Sequence, residues 1–385
     1  MPRPLLIVDP SDWRAVYAAL RARLDGAGPA VFPVAGGPDD VPATVPDTAA
    51  LVIQTSGSTG RPKRVLLSEA ALRASAEATD AALGGAGQWL LCLSPAFVAG
   101  SQLLVRSLMA GTEPVAGPIG GFDAEAFCDA ASAMSADRRY SALVPAQLAR
   151  LVDAGESSSA VRESVARLDA MIIGGQALPA SVASRAADLG YRVVRTYGSS
   201  ETATGCVYDG YPTGRTRLRV VGGVLEISGP TLADGYLDDP DATAAAFHVE
   251  DRVRWYRTGD RAELDDDGRV RVLGRADSVL ISGGVKVSLD RVEALVRELP
   301  GFADAVVVRA PSERWGEVPV VVVAAAEDAS ARLDELRARV GPVLGAAARP
   351  AAILALPALP LLATGKPDRR ALETLVAESP RVRGA

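Results

Sequence analysis

The chain has 385 residues, of which 48% are hydrophobic and 23% charged; this suits a globular protein of about two or three domains and excludes wholesale disorder. Lys and Arg number 41 against 47 Asp and Glu, so the net charge of -6 offers no basic field for nucleic acid or an anionic membrane. The 3 cysteines are far apart, which excludes a disulfide framework and a zinc finger and favours a reducing, cytoplasmic location.

The N-terminal segment and the longest apolar run both argue against a membrane protein. Residues 1–13 hold a single basic residue and a short apolar run, so no signal peptide is predicted. The apolar run at residues 318–326 is about nine residues long, which fits a buried strand and is too short to cross a bilayer.

The chain contains a single histidine, His248, in an Ala-rich stretch that we interpret as the end of a surface helix. A Ser-His-Asp triad, a Cys-His pair or a multi-histidine metal site would need this one residue, and no catalytic motif surrounds it. Any proton or phosphate chemistry must therefore rest on Lys, Arg, carboxylates, hydroxyls and backbone amides.

Through residue 194, amphipathic segments alternate with short apolar ones. The sequence predicts helices over residues 13–24, 69–83 (with Ser68 as N-cap), 101–109 and 123–134, and strands over residues 51–54, 89–93, 141–144, 171–173 and 193–194. This alternation predicts an α/β fold, with layered sheets and helices on their faces.

The pattern changes beyond Tyr208. Short alternating segments at residues 218–221, 224–227, 261–264 and 269–273 predict an antiparallel β subdomain. From Val279 a smaller α+β unit follows, with helices near residues 291–298 and 331–340. We therefore predict an N-terminal domain over residues 1–276 and a mobile C-terminal domain over residues 277–385.

The strongest local signal is the segment Gln54-Thr-Ser-Gly-Ser-Thr-Gly-Arg-Pro-Lys63. Small and hydroxyl residues leave backbone N–H groups unshielded, which suits a loop around phosphate oxygens, and Lys63 adds a cation. It is not a Walker A loop, because the Gly-Lys-Ser/Thr ending is missing. A simple surface turn is the alternative.

A second signal, Thr196-Tyr-Gly-Ser-Ser-Glu-Thr202, follows an apolar strand. Tyr197 can lie against a planar ring, and Glu201 beside two hydroxyls suits a hard cation such as Mg²⁺. The alternative is a turn in which Ser200 caps a helix.

Further along the chain, carboxylates and cations recur at turns. Asp260 ends Trp255-Tyr-Arg-Thr-Gly-Asp260 and can accept two ribose hydroxyls, and Arg275 stands two residues before Asp277. Gly-Lys loops occur at residues 282–287 and 364–369. A surface Arg–Asp pair and exposed turns are the alternatives.

Taken in this order, the segments resemble the adenylate-forming superfamily of acyl-CoA synthetases, peptide-synthetase adenylation domains and luciferases, from about Leu51 to Leu372. Residues 87–91, 105–108 with 110–114, 139–140 with 143–145, and 205–210 resemble in particular the short actinobacterial-type o-succinylbenzoate–CoA ligases. The resemblance implies a ligase that uses ATP and Mg²⁺.

The resemblance also implies roles for individual residues. The phosphate-binding loop would comprise Thr55, Ser56, Gly57, Ser58, Thr59, Gly60 and Lys63. Adenine would lie against Gly174, Gly175 and Gln176, with Tyr197 and Gly198 beside it, and ribose would meet Asp260 and Arg275. The catalytic groups would be Ser200 at the α-phosphate, Glu201 as the Mg²⁺ ligand and Lys366, which bridges the reacting oxyanion and the α-phosphate. Asp277 would be the hinge.

Two departures concern the acyl pocket. Phe97 stands where these ligases usually carry a histidine, three residues before Gly100, and Ser199 stands where relatives often have Met. Both positions would line the acyl pocket, so the sequence leaves the acid and its acceptor open.

Three hypotheses follow. The first is a CoA ligase acting on an aromatic carboxylate such as o-succinylbenzoate. The second is a paralogue of secondary metabolism that passes an activated acid to an amine, or activates nitrite for diazotisation of an aryl amine. The third is a nucleotide-binding module without catalysis. Under the first two, the partners are a small acid and CoA or an amine, with no nucleic acid and no membrane, and homodimerisation is left open.

Overall fold

The computed structural model describes residues 2–38, 40–55, 62–324, 329–361 and 367–379. The α-helices are α1 (Trp13–Leu24), α2 (Glu69–Leu83), α3 (Val98–Met109), α4 (Ala124–Ser132), α5 (Pro145–Ser157), α6 (Ser159–Ala166), α7 (Ala180–Asp188), α8 (Pro240–Ala246), α9 (Leu289–Arg297), α10 (Leu333–Leu344) and α11 (Arg369–Glu378). Short 3₁₀ helices occupy Ser200–Thr202, Ala329–Arg332 and Ala346–Ala348.

The strands are β1 (Arg3–Val8), β2 (Ala30–Pro33), β3 (Thr44–Val45), β4 (Ala49–Thr55), β5 (Lys63–Ser68), β6 (Gln88–Leu91), β7 (Val115–Ala116), β8 (Arg139–Leu143), β9 (Ala170–Ile173), β10 (Val193–Ser199), β11 (Thr204–Tyr208), β12 (Tyr211–Pro212), β13 (Arg217–Val221), β14 (Val224–Ser228), β15 (Gly235–Tyr236), β16 (Phe247–Glu250), β17 (Val253–Leu264), β18 (Val270–Arg275), β19 (Val279–Ser282), β20 (Val285–Ser288), β21 (Val306–Ser312), β22 (Gly316–Ala324) and β23 (Ala352–Leu356). They form four sheets, and the layered α/β prediction is confirmed.

Side-chain caps fix the helix starts that the sequence predicts. Asp12, Ser68 and Asp123 each accept a hydrogen bond from the backbone N–H three residues on, at 3.0, 3.2 and 2.8 Å. The predicted bounds of α1 and α2 are confirmed, whereas α3 begins at Val98 rather than at residue 101. Local hydrogen bonding therefore determines these boundaries.

The two large sheets pack against one hydrophobic core. The first has the order β15-β5-β4-β2-β1-β3 and the second β12-β11-β10-β9-β8-β6-β7. Trp89 and Tyr140 of the second sheet are fully buried with Leu51 and Leu67 of the first. Strands β6 to β10 run parallel, so their carboxyl ends share one edge.

The strand order of the second sheet reverses at β6. From β6 the chain passes to β7 on one side, and then returns to β8 on the other side. In open parallel sheets such a reversal leaves a crevice outside the carboxyl ends, where ligands bind.

The predicted antiparallel subdomain is the third sheet, with the order β13-β14-β17-β16 and with β18 paired to β17. The prediction for His248 is wrong: α8 ends at Ala246, and His248 lies in β16 opposite Trp255 of β17. Phe247 is buried in the core, and because of this burial α8 ends at Ala246 and the chain continues as β16. His248 contacts Arg219 and the buried Glu226.

The fourth sheet, β20-β19-β22-β21 with β23 beside β22, forms the small C-terminal part together with α9, α10 and α11. Val307 and Val321 pack on α9 and α10, and Val308 and Val322 pack on α11. A large N-terminal and a small C-terminal part are thus present, while the boundary at 277 stays a prediction. Within the described residues, no helix combines the length and hydropathy that a membrane span requires.

Candidate active site

A cavity of about 1330 Å³ opens over the carboxyl ends of the parallel strands and extends to the C-terminal part. Leu93 and Phe97 follow β6, Val144 follows β8, and Gly174 follows β9. The end of β10 adds the segment from Tyr197 to Ser199. The topology therefore brings loops that are far apart in sequence to one site.

At one end of the cavity, Tyr197 of β10 donates a hydrogen bond from its hydroxyl to Asp260 of β17. Burial raises the pKa of Asp260, and burial and the neighbouring carboxylate raise the pKa of Tyr197. The Asp260 backbone N–H is held by the Thr258 hydroxyl at 3.0 Å. The carboxylate of Asp260 is thus held in place through Oδ2, and its Oδ1 does not bond to Tyr197.

Glu201 faces the cavity from the short 3₁₀ helix after β10. Its Oε1 accepts a hydrogen bond from the Tyr236 hydroxyl at 2.9 Å, and the Lys63 ammonium lies 4.7 Å from the centre of the Tyr236 ring. Burial and the adjacent Glu201 raise the pKa of Tyr236, so this hydroxyl stays a donor. Strands β5 and β15 pair directly, which places Lys63 and Tyr236 together.

Arg275 links the two parts of the chain. It lies opposite Asp260 in the β17–β18 register, with 3.7 Å between Nη1 and the Asp260 Oδ1, and it donates to both oxygens of Asp277 at 3.0 and 3.1 Å. This pairing lowers the pKa of Asp277. Arg309 of β21 also donates to the Asp277 carbonyl at 3.1 Å.

Most of the sequence-predicted site residues meet at this cavity. Those that line it are Thr55, Lys63, Phe97, Gly174, Gly175, Tyr197, Gly198, Ser199, Ser200, Glu201, Asp260, Arg275 and Asp277. Gln176 is not among the described residues that line it. Ser56, Gly57, Ser58, Thr59, Gly60 and Lys366 lie outside the described residues, although Pro62 and Pro367 line the cavity.

Gly198 has a structural requirement of its own. A Cβ at this position would lie 2.0 Å from the Thr204 carbonyl oxygen across the β10–β11 hairpin. A side chain cannot fit there, so the close approach of the two strands accounts for this glycine.

Among the cavity residues that the sequence analysis did not assign to the site are Tyr236, Tyr256 and Arg106. Tyr236 lies 35 residues from Glu201, with no motif joining them. Arg106 belongs to α3, whose sequence is typical of a buried core helix. The local signal for Tyr236 is an aromatic residue within Ala-Asp-Gly-Tyr236, on a short segment after the β13–β14 hairpin, and it does not indicate the pairing with β5.

The side chains around the cavity fit a Mg²⁺ ion that is held mainly by the phosphates of a bound substrate. No group of three or more His, Cys, Asp or Glu side chains in the described part of the chain is arranged to hold a metal. Mg²⁺ keeps several waters and is commonly bound through one or two carboxylates plus substrate phosphates. The carboxylate of Glu201, which faces the cavity next to Ser200, matches this mode.

Comparison with protein-family models gives a match over residues 6–235 to the family described as AMP-binding enzyme. The chain belongs to this family. The model of the AMP-binding enzyme C-terminal domain matches residues 291–366, so the two models cover the large and small parts in the expected order. The chain is therefore an adenylate-forming ligase, as the sequence resemblance implies.

Curated relatives cover nearly the whole chain. A probable 2-succinylbenzoate–CoA ligase of Mycobacterium tuberculosis is 39% identical over 367 residues, which are 92% of this chain and 93% of the relative. An indoleacetate–CoA ligase of Aromatoleum aromaticum is 31% identical and covers 94% of this chain and 72% of the relative.

Solved structures show the same fold. The o-succinylbenzoate CoA synthetase of Bacillus subtilis, bound to its acyl-adenylate intermediate, has a TM-score of 0.74 at 22% identity, covering 93% of this chain and 80% of that one. The amide bond synthetase of Marinactinospora thermotolerans also has a TM-score of 0.74, at 24% identity, covering 97% of this chain and 80% of that one.

Proposed function

We propose that this AMP-binding family member activates an aromatic carboxylic acid with ATP and Mg²⁺ and transfers the acyl group to CoA. The observation that carries the proposal is the convergence of Tyr197, Glu201, Asp260 and Arg275 on one cavity that the C-terminal part also lines. The 39% identity to a probable 2-succinylbenzoate–CoA ligase over nearly both chains supports the choice of acid and acceptor.

Nucleotide recognition is assigned to the end of the cavity near β17. Adenine would lie against Tyr197 and the backbone of residues 174–175, and the ribose hydroxyls would donate to Asp260. The hydroxyl-rich loop at residues 55–63 would surround the β- and γ-phosphates with backbone N–H groups. Gln176 remains a sequence-based assignment to the adenine site.

In the first step, an oxygen of the acid's carboxylate attacks the α-phosphorus. The bond from that phosphorus to the oxygen bridging to the β-phosphorus breaks, and pyrophosphate leaves with the electron pair. A carboxylate is already ionised at neutral pH, so no general base is needed, in agreement with a chain that has 1 histidine. Mg²⁺, when bound at Glu201, supplies charge neutralisation at the phosphates.

In this step an anionic carboxylate approaches an anionic phosphate, so groups that offset the negative charge or donate hydrogen bonds to it set the rate. Ser200, the first residue of the 3₁₀ helix after β10, would donate to an α-phosphate oxygen, and Lys366 would lie between that phosphate and the attacking carboxylate. Pro367 and Asp368, directly after Lys366, line the cavity, which supports the assignment of this lysine.

The second step needs access for the acceptor. The thiol sulfur attacks the acyl carbon, and the bond from that carbon to the phosphate oxygen of AMP breaks. AMP leaves with the electron pair, the thiol proton is released to water, and a thioester forms. We assign the rearrangement that admits the thiol to rotation about Asp277. The bidentate contact with Arg275 and the contact with Arg309 would break as the domain over residues 277–385 turns.

The test is ATP-dependent pyrophosphate release by the purified protein across aromatic acids, aliphatic acids and nitrite, followed by mass analysis with CoA or an aryl amine. We expect release with aromatic acids and an acyl-CoA product. Release followed by amide or diazonium products would replace the CoA assignment with the secondary-metabolism alternative. No AMP formation with any acid would contradict the proposal.

A further inference from the structure

Asp290, the second residue of α9, bonds to the chain on the other side of the proposed hinge at Asp277. Its Oδ2 accepts a hydrogen bond from the Arg275 backbone N–H at 2.7 Å, and its Oδ1 accepts one from the Ser278 hydroxyl at 3.0 Å. Both carboxylate oxygens are therefore engaged by the segment that joins the large and small parts of the chain, and the carboxylate is held in one orientation.

The donor of the shorter bond belongs to the large part of the chain. Arg275 is the last residue of β18, where it lies opposite Asp260 of β17. The next backbone N–H, that of Ala276, donates to the Gly259 carbonyl at 2.8 Å. The Arg275 amide is thus fixed to the third sheet and does not move with α9.

The acceptor of this bond belongs to the small part of the chain. Val292 and Val296 of α9 are fully buried in one core with Val307 and Val321 of the fourth sheet, so Asp290 moves together with that core. A hydrogen bond of 2.7 Å is lost when its two atoms separate by about another 1 Å. Rotation of the small part at the proposed hinge therefore breaks the contact.

Gly274 allows the two segments to approach closely at this point. A Cβ on Gly274 would lie 2.5 Å from Oδ2 of Asp290, and the φ angle of Gly274 is +115°, a region that favours glycine. The residue before Arg275 thus has no side chain to keep the carboxylate away from the amide.

Asp290 also contacts the segment that follows Lys366. Nη2 of Arg369 lies 3.8 Å from Oδ1 of Asp290 and 2.7 Å from Oε2 of Glu293. Nη1 of Arg369 donates to the Val307 carbonyl at 2.8 Å. Asp290 and Arg369 both line the cavity. The same carboxylate therefore connects the hinge segment to the start of α11, three residues after the proposed catalytic lysine.

We propose that Asp290 is a positioning residue, which holds the small part of the chain in the orientation that the first step requires. The inference rests on the proposed two-step reaction. In the orientation present here, residues 367–370 line the cavity in which Lys366 would act. Because the bond to the Arg275 amide exists in this orientation and is lost on rotation, it stabilises this orientation selectively.

The experiment measures the two steps separately in the wild-type protein, Asp290→Ala and Asp290→Asn. Single-turnover pyrophosphate release without CoA measures the first step, with the aromatic acid that the wild-type protein activates fastest. Conversion of the chemically prepared adenylate of that acid to acyl-CoA measures the second step. Deuterium exchange in the peptide spanning residues 271–280, without substrate, follows the Arg275 amide. Asp334→Ala is the matched control, since Asp334 is an acidic residue in the first turn of α10 with a side chain that is 95% exposed.

We expect Asp290→Ala to release pyrophosphate about 10-fold more slowly, because a hydrogen bond to a charged acceptor is lost, and to convert the adenylate at the wild-type rate or faster. Asp290→Asn keeps an acceptor oxygen and loses the charge, so its first step should be intermediate. Deuterium exchange of residues 271–280 should be faster in Asp290→Ala. Asp334→Ala removes the same charge from a helix N-terminus and should match the wild type in each measurement.

Damage to the nucleotide site would give a different result, because the adenylate carries the same ribose as ATP and both steps would slow by a similar factor. That outcome, or an unchanged first step, overturns the inference. Exchange at the wild-type rate in Asp290→Ala overturns it as well, whichever acid is used. No AMP formation, or no thioester from the adenylate, with the wild-type protein instead contradicts the proposed function. If Asp290→Ala does not fold, Asp290→Asn and Ser278→Ala, which removes the hydroxyl that orients the carboxylate, decide by the same criteria.

Discussion

The two ends of the cavity differ in how their polar groups are satisfied. At the proposed nucleotide end, Tyr197 donates to Asp260, Arg275 pairs with Asp277, and Tyr236 donates to Glu201. Where Arg106 lines the cavity, Arg106 itself and, behind it, Trp89 and Gln102 each retain a buried polar atom without a partner in the described structure.

The proposed nucleotide end is therefore the preorganised one. Groups that hold one another in place present a fixed surface to a partner that does not change, which is ATP in the proposed function. A buried polar group without a protein partner instead discriminates against any ligand that leaves it unpaired. Substitutions at the nucleotide end should therefore lower activity by the same factor for every acid.

The largest effect is expected from Lys366→Ala, about a 10³-fold loss of pyrophosphate release with ATP affinity nearly unchanged, because the lysine acts on charge that develops in the transition state. Single-turnover pyrophosphate release and calorimetric ATP binding measure the two quantities. Release at the wild-type rate would remove Lys366 from the catalytic assignment.

Glu201→Gln should reduce kcat/KM by about 10²-fold and raise the Mg²⁺ concentration needed for half-maximal activity, because the amide binds a hard cation more weakly than the carboxylate. A Mg²⁺ titration of pyrophosphate release measures both. Glu263→Gln, at an exposed position of β17, is the control and should match the wild type. An unaltered metal dependence in Glu201→Gln would exclude it as the ligand.

Asp260→Asn should raise KM for ATP by about 10-fold or more, through loss of hydrogen bonds to a charged acceptor. Because burial raises the pKa of Asp260, acidification should protonate it at a higher pH than an ordinary aspartate, so the wild-type KM for ATP should rise as pH falls. The Asn variant should show a flat profile in this range. Asp267→Asn is the control, since Asp267 also accepts a tyrosine hydroxyl, at 2.7 Å, outside the cavity; a wild-type KM independent of pH would contradict the ribose assignment.

Tyr236→Phe should have the smallest effect, a loss of about 5-fold in activity at limiting Mg²⁺, because Glu201 keeps its charge and loses one positioning hydrogen bond. Activity at saturating Mg²⁺ should recover. Tyr211→Phe removes the matched hydroxyl–carboxylate contact outside the cavity and should leave the metal dependence unchanged. A loss that saturating Mg²⁺ does not restore would show that Tyr236 acts elsewhere.

Much of the fold was predictable because it depends on local interactions. Asp12 and Ser68 are capping residues whose side chains bond within three positions, so sequence places α1 and α2 correctly. His248 was placed wrongly because the burial of Phe247 against Tyr236 and Tyr256 is a long-range packing effect. The short edge strand β15 has no pattern of its own and exists only through β5.

The motifs whose chemistry is contained in consecutive residues can be recognised from the amino-acid order alone: the hydroxyl-rich segment ending at Lys63, the Tyr197–Glu201 segment, and the family to which they point. The contact of Tyr236 with Glu201, and the position of Arg106 at the cavity beside Thr204, depend on the folded structure. The reason is that these contacts join positions 35 and 98 residues apart, and strand pairing and helix packing, rather than neighbouring sequence, bring them together.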